Sequence, residues 1–291
     1  MNIIKSFSLF LLFSVFACCG ISSASQLSSE LRGDFFQGSV IFASVKGASA
    51  SAEAFAELDG RIFSLSNING VLMGGISLPL DAAEGSHRIV FTVSDGGTKS
   101  SFERSVNIKP KAYGTQHLRI TESQLASYDD PQSDIDNDAI LDALKKCSDN
   151  IRWEKSFIRP VDGRVSTLFG LKRFYNDDPE PEFHKGVDIA GYTGKKIVAP
   201  QNGIVLMAKN DLLLHGGTVV ISHGRGIGTI YLHLDSVAVS EGQHVRQGEV
   251  IGFMGEKGVS TAPHLHWAAY AGGYPINPWL LMNLPASWLG K

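Results

Sequence analysis

The chain has 291 residues, of which 26 are Lys or Arg and 29 are Asp or Glu, so its formal net charge is −3. This length corresponds to one large domain or two smaller ones. The charge is nearly balanced, and the sequence has no basic stripe that interleaves aromatic residues. These two properties exclude nucleic acid as an expected partner.

The first 24 residues have the pattern of a secretory signal peptide. Lys5 precedes an apolar run from Phe7 to Ala17, and small residues close the segment at Ser22-Ser-Ala24. The run is too short to span a bilayer comfortably. We therefore expect an exported protein whose mature chain has no membrane span.

The mature chain is predicted to keep a single cysteine. Cys18 and Cys19 lie within the signal segment, which leaves only Cys147. One cysteine excludes an intramolecular disulfide, so the exported protein must be stabilised by its core, which roughly 265 residues can form. Residues 15–18 also resemble a bacterial lipoprotein processing site, so a lipid anchor at Cys18 is a second expectation.

Residues 25–110 are predicted to form a β-sandwich-like accessory domain. Strand-like runs cover residues 38–43, 61–65 and 88–93. Turn signals follow at Asp59-Gly60 and Asp95-Gly-Gly97. No catalytic cluster is visible in this region, so we expect a spacer or a substrate-docking module.

Residues 111–156 are predicted to be an acidic linker followed by an amphipathic helix. The Asp-rich stretch 129–138 is typical of a solvated linker. Asp136 or Asp138 can cap a helix whose apolar positions recur at helical spacing. Those positions are Ile140, Leu144, Cys147 and Ile151. Cys147 is expected to be a small buried apolar residue rather than a reactive thiol.

Residues 157–285 are predicted to form an antiparallel β domain, and residues 286–291 a short tail. Helical periodicity is scarce here, and glycines separate the strand-like runs. The runs cover residues 219–222, 228–233 and 250–253.

Histidines and one aspartate in this third region suggest a metal site. Side chains alternate faces along a strand, so His264 and His266 point to the same side. A zinc ion with one open position for water needs three converging nitrogen or oxygen ligands. His184, Asp188 and one of the two C-terminal histidines would supply them.

A further histidine lies in the segment Tyr231-Leu-His-Leu234. The alternation of a strand places Tyr231 and His233 on one side, and Leu232 and Leu234 on the opposite, core-facing side. His233 is therefore a fifth candidate site residue.

These motifs together resemble the lysostaphin-type (LytM-domain) zinc metallopeptidases of bacterial cell walls. The matching motifs are His184 before Gly-Val-Asp-Ile, Tyr-Leu-His-Leu around His233, and His-Leu-His-Trp from His264. Other stretches match at residues 163–170, 198–203, 242–252 and 277–278. The likeness covers residues 157–285 and implies an antiparallel β catalytic domain of the LytM type.

The resemblance implies that His184, Asp188 and His266 hold Zn²⁺, with His233 and His264 as the catalytic histidines. Two imidazoles and one carboxylate leave the ion a net positive charge, which acidifies bound water and polarises a carbonyl oxygen. The sequence has no H-E-x-x-H glutamate to act as base. One histidine would therefore take the proton from water while the other stabilises the oxyanion, and the sequence does not divide these roles.

The resemblance further implies a peptidoglycan substrate, cleaved at crosslinks or stem peptides, and a location in the periplasm or cell envelope of a bacterium. Arg173 aligns loosely with a family arginine, and it is expected to bind substrate together with Tyr231. Three other histidines of residues 157–285 match no family position and are expected to be surface or hydrogen-bonded turn residues. These are His215, His223 and His244.

Two alternatives remain open. Some members of the family lack ligands and activate a cell-wall amidase without being enzymes, although all five site positions are present here. Residues 111–156 directly precede the catalytic part, so they either restrain its groove or only brace the two domains.

Overall fold

The computed structural model describes residues 27–147, 153–285 and 288–289. The predicted signal peptide, Cys18 and Ile151 lie outside these ranges. The fold is mainly β, as predicted, and consists of curled antiparallel sheets. Within the described ranges, no helix has the length and apolar character needed to cross a membrane.

Seven strands form the N-terminal domain: β1 (Ser28–Arg32), β2 (Val40–Lys46), β3 (Glu53–Leu58), β4 (Arg61–Ile68), β5 (Val71–Ser77), β6 (Gly85–Asp95) and β7 (Thr98–Ile108). They pair in the order β1-β2-β5-β4-β3-β6-β7. The sheet curls because β4 pairs with β3 through residues 61–65 and with β5 through residues 66–68. A parallel bridge between Phe36 and Lys109 links the two ends of the sheet around an apolar core.

A connector follows, made of β8 (Thr115–Leu118), α1 (Glu122–Asp129) and α2 (Pro131–Leu144). The prediction of a solvated linker at 129–138 is therefore wrong, because most of that stretch belongs to α2. Asp130 caps the helix by accepting a hydrogen bond from the Gln132 amide at 2.8 Å, and Pro131 takes the first helical position. The acidic run thus begins a helix instead of preceding one.

The C-terminal domain begins with β9 (Val165–Thr167), β10 (Lys172–Tyr175), β11 (Glu182–Phe183), β12 (Gly186–Ala190) and β13 (Lys196–Val198). It continues with β14 (Gly203–Leu212), β15 (Gly216–Ser222), β16 (Ile227–Val237), β17 (His244–Val245), β18 (Val250–Met254), β19 (His264–Ala271), β20 (Tyr274–Ile276) and a 3₁₀ helix (Pro278–Asn283). The main sheet has the order β17-β14-β15-β16-β19-β12-β9. Strand β8 of the connector pairs in parallel with β10, which also pairs with β11.

The two faces of the main sheet bury different apolar clusters. One face buries a cluster that includes Val187 and Trp267. The opposite face packs Leu232 and Ala268 against α2, where Cys147 is buried as predicted. Helix α2 covers only part of this second face. The part that it leaves uncovered lies on β12 and β19.

The two β domains also pack directly on each other. A third apolar cluster joins Phe42 of the N-terminal domain to Ile227 of the C-terminal domain. Beside it the buried guanidinium of Arg225 lies 4.4 Å from the ring centroid of Trp153 and 5.6 Å from that of Trp288. The domains are therefore held together by contacts that do not involve α1 or α2.

Candidate metal centre

Two neighbouring strands bring most of the predicted ligands together. In the antiparallel pair β12–β19, Asp188 lies opposite His266 and Ala190 lies opposite His264. Residues directly opposite each other share a face of the sheet, and His266 is also opposite Leu232 on β16. The two histidines therefore lie on the face that α2 leaves partly uncovered. The shared side that the sequence predicts for His264 and His266 is present.

Three side-chain atoms converge at this point. Asp188 Oδ1 lies 3.0 Å from His184 Nε2 and 2.9 Å from His266 Nδ1, and the two nitrogens are 3.1 Å apart. A tetrahedral ion with bonds of about 2.0–2.1 Å places its ligand atoms about 3.3 Å apart. The observed triangle is close to that size.

The protonation of these groups also fits a cation. His184 Nδ1 lies 2.9 Å from the Leu168 carbonyl oxygen, so the neutral ring donates there and carries its lone pair on Nε2. Burial lowers the pKa of His266 to about 4, so this imidazole is neutral at pH 7. Burial opposes ionisation of Asp188, but the close contacts of its carboxylate with His184 and His266 hold the pKa of that carboxyl far below its usual range. Two imidazole nitrogens and a carboxylate oxygen thus form a donor set that fits a divalent metal ion.

His233 reaches the same site through an irregularity in β16. Val219 of β15 lies opposite Tyr231, whereas Gly217 lies opposite Leu234, so two residues of β16 face one residue of β15. His233 sits in this bulge with a φ of 61°, a left-handed conformation that is uncommon for a residue other than glycine. The bulge breaks the alternation of the strand, and the His233 ring centroid lies 4.8 Å from that of His264.

The same bulge explains why one predicted site residue is absent from the site. Tyr231 is fully buried on the core face, and its hydroxyl lies 2.8 Å from Thr229 Oγ1. The expectation that Tyr231 binds substrate is therefore wrong. Regular alternation would put Tyr231 and His233 on one side, but the extra residue turns only His233 toward the metal ligands.

Both additional histidines are held by main-chain carbonyl groups. His233 Nδ1 lies 2.9 Å from the Lys257 carbonyl oxygen, and His264 Nδ1 lies 2.8 Å from that of Ala262. Each neutral ring therefore donates from Nδ1 and keeps a lone pair on Nε2. Burial, together with nearby His264 and His266, lowers the pKa of His233 to about 3. His264 Nε2 lies 3.9 Å from Asp188 Oδ1.

Arg173 lies at the site, but its contacts differ from the expected ones. Its Nη2 donates to Asp188 Oδ2 at 2.7 Å, and its Nε donates to Gln116 Oε1 at 3.2 Å. The guanidinium thus binds the oxygen of Asp188 that faces away from His184 and His266. Gln116 comes from β8 of the connector, and no local sequence signal marks it, because the parallel pairing of β8 with β10 is long-range.

A cavity of about 380 Å³ opens over these groups. One wall consists of the metal-ligand strands and the loop Val259–Pro263. The connector supplies the opposite wall with Gln116, Leu118, Arg119, Ile120, Gln124 and Tyr128. The size and polar lining suit a short peptide better than a large apolar ligand.

Sequence comparison places this domain among known proteins, since residues 182–278 match peptidase family M23. The C-terminal domain is a peptidase family M23 domain. The match includes His184, Asp188, His233, His264 and His266 within its bounds.

Two relatives and one solved structure are similar to this chain. The peptidoglycan DD-endopeptidase ShyA of Vibrio cholerae is 36% identical over 135 residues, which are 45% of this chain and 31% of ShyA. The murein hydrolase activator NlpD of Salmonella dublin is 36% identical over 119 residues, 41% of this chain and 29% of NlpD. This chain therefore spans less than a third of either relative.

The structural comparison extends further along the chain. A peptidase M23 structure from Pseudomonas aeruginosa has a TM-score of 0.63, covering 86% of this chain and 95% of that one at 23% identity. That likeness shows a common fold, which includes the N-terminal domain as well as the M23 domain.

The remaining histidines of the M23 domain lie apart from the cluster. His215 Nε2 contacts Asn137 Oδ1 of α2 at 2.8 Å, and His244 is exposed. His223 is fully buried, with its ring nitrogens 2.8 Å from the Asn202 carbonyl oxygen and from Thr229 Oγ1. His215 and His223 are therefore hydrogen-bonded as expected, although His223 is an interior residue.

Gly186 leaves the space that the His266 ring occupies. A Cβ added there would lie 2.6 Å from His266 Nε2 and 2.7 Å from the Trp267 carbonyl oxygen. We expect Gly186→Ala to displace the His266 ring and to weaken zinc binding by about 10- to 100-fold, measured by competitive titration. Gly114→Ala is the matched control, because its added Cβ meets only the end of the Leu171 side chain. Equal zinc affinity in the two variants would contradict this role.

Proposed function

We propose that the protein is an exported zinc endopeptidase that hydrolyses peptide bonds of bacterial peptidoglycan, acting in the periplasm or cell envelope. The observation that carries the proposal is the convergence of His184, Asp188 and His266, with His233 and His264 beside them. The relative named peptidoglycan DD-endopeptidase supports the substrate class. A D,D-crosslink is therefore the first bond to test.

The proposed metal ligands are His184 Nε2, Asp188 Oδ1 and His266 Nδ1. A zinc ion held there would polarise the scissile carbonyl group and make bound water more acidic. Arg173 fixes the Asp188 carboxylate by holding Oδ2, so that Oδ1 alone faces the ligand nitrogens. Such outer contacts orient a ligand and tune its affinity.

His233 and His264 would transfer protons and stabilise the negative charge that develops on the oxyanion. Each carries a lone pair on Nε2, because Nδ1 donates to a main-chain carbonyl group. One ring can therefore accept a proton from the attacking water, and the other, once protonated, can stabilise the oxyanion and later protonate the leaving amine. Among the described residues, no carboxylate other than Asp188 lines the cavity, so we assign this chemistry to the two histidines.

The second candidate function is activation of a separate cell-wall amidase without intrinsic cleavage. The relative named murein hydrolase activator gives it support. The complete set of three proposed metal ligands and two additional histidines argues against this function. A protein that only activates another enzyme does not need side chains arranged for metal binding and proton transfer.

Mass spectrometry of purified, crosslinked muropeptides distinguishes the two functions. We expect the zinc-loaded protein alone to convert each crosslinked dimer into monomers by adding one water to a peptide bond. Removal of zinc by a chelator should stop this conversion, and one equivalent of zinc should restore it. Faster cleavage only when an amidase is added, with none by the protein alone, would support the activator instead.

A further inference from the structure

The charged groups that line the site cavity are predominantly positive. Three arginines and one aspartate line it: Arg119, Arg164, Arg173 and Asp188. Arg173 is neutralised by Asp188 at 2.7 Å, and Arg119 lies 3.7 Å from Asp177 on the surface. Arg164 has no acidic partner in the described part of the chain. The cavity therefore carries excess positive charge even before a metal ion is counted, which favours an anionic ligand.

The strand register places Arg164 close to the proposed reaction centre. Its carbonyl oxygen accepts a hydrogen bond from the Ala190 amide at 2.9 Å, and Ala190 lies opposite His264. Neighbouring strands are about 4.8 Å apart, so the Arg164 and His264 backbones are about 10 Å apart. Residues opposite each other share a sheet face, and the small Ala190 side chain leaves the space between them open. An extended arginine side chain can cross most of that distance.

We propose that Arg164 binds a free carboxylate on a substrate residue next to the scissile bond. The inference rests on the proposed function. A guanidinium group matches a carboxylate through two parallel hydrogen bonds. When the crosslink is made through the second amine of a diamino diacid, the carboxylate on the same carbon stays free beside the scissile bond, so a substrate of that class offers such a group. The sequence suggests Arg173 as a substrate-binding residue, but that guanidinium is already bound to Asp188.

Two forms of one crosslinked muropeptide test this assignment. One form keeps the carboxylate beside the scissile bond, and the other has that carboxylate converted to an amide. The measured quantity is the ratio of kcat/KM for the carboxylate form to kcat/KM for the amide form. We expect Arg164→Gln to lower this ratio about 10-fold, mainly through KM, because a charge-assisted hydrogen bond is lost. Arg164→Lys should recover part of the ratio, since the charge remains.

The matched control is Arg246→Gln, which removes an exposed arginine of the same domain that does not line the cavity. It should leave the ratio at the wild-type value. An unchanged ratio in Arg164→Gln would overturn the assignment and leave the proposed function intact. A wild-type protein that cleaves neither form would overturn both.

Discussion

Replacement of Asp188 by alanine is expected to abolish metal retention and, with it, peptide hydrolysis. Asp188 Oδ1 contacts both His184 Nε2 and His266 Nδ1, and its loss removes the only negative ligand. The substitution also leaves the Arg173 guanidinium without its partner beside the metal site, where its charge repels a cation. We expect zinc affinity to fall by more than the roughly 100-fold that an outer contact can cost.

Elemental analysis after gel filtration measures this loss as zinc per chain. The matched control is Asp162→Ala, because Asp162 is exposed in the same domain and its main-chain oxygen, not its carboxylate, contacts Lys195. The control should keep one zinc per chain. Full zinc content in Asp188→Ala would rule out Asp188 as a ligand.

His264→Ala is expected to give the opposite pattern, with zinc retained and turnover lost. His264 lies beside the three proposed ligands but outside their triangle, and its Nε2 is 3.9 Å from Asp188 Oδ1. A histidine that transfers protons in the reaction contributes about 10²- to 10⁴-fold to the rate. We expect a decrease of that size in kcat with a zinc content close to wild type.

Parallel measurement of kcat and zinc content separates this role from ligation. His244→Ala serves as the control, since His244 is an exposed histidine of the same domain. It should change neither quantity. If His264→Ala lost zinc together with turnover, His264 would be a ligand and the division of roles proposed for the five side chains would be incorrect.

Local patterns in the sequence were enough to predict much of the site. His264 and His266 follow each other with the period of a strand, and their placement on one face needs only that alternation. Gly186 and its β-branched neighbours favour a loop that leads into a strand, and Asp188 lies within β12. The mainly β fold follows from the same short, glycine-bounded runs.

The errors arise where one residue changes a regular pattern. A bulge at His233 cannot be read from the sequence, because nothing in the segment marks a left-handed residue other than glycine. Tyr231 was consequently assigned to the wrong face. The sequence does contain a signal for the helix start at Pro131, since an aspartate followed by proline is a typical cap and first helical residue. The acidic composition of the segment favoured a linker instead.

The contacts between the connector and the site could not be predicted from local sequence patterns. Gln116 meets Arg173 because β8 joins the edge of β10, and neither strand has a feature that specifies its partner. The connector thereby forms a wall of the cavity, which is where the restraint interpretation places it, and whether it limits activity stays a prediction. The two domains pack directly on each other, so this wall is not needed to hold them together.

Anomalous diffraction at the zinc edge, from a crystal of the chain loaded with one equivalent of zinc, tests the central claim most directly. The account predicts one strong peak about 2.0–2.2 Å from His184 Nε2, Asp188 Oδ1 and His266 Nδ1. His233 and His264 should lie outside bonding distance of that peak. A principal peak bound by any other set of residues would contradict the assignment of this site.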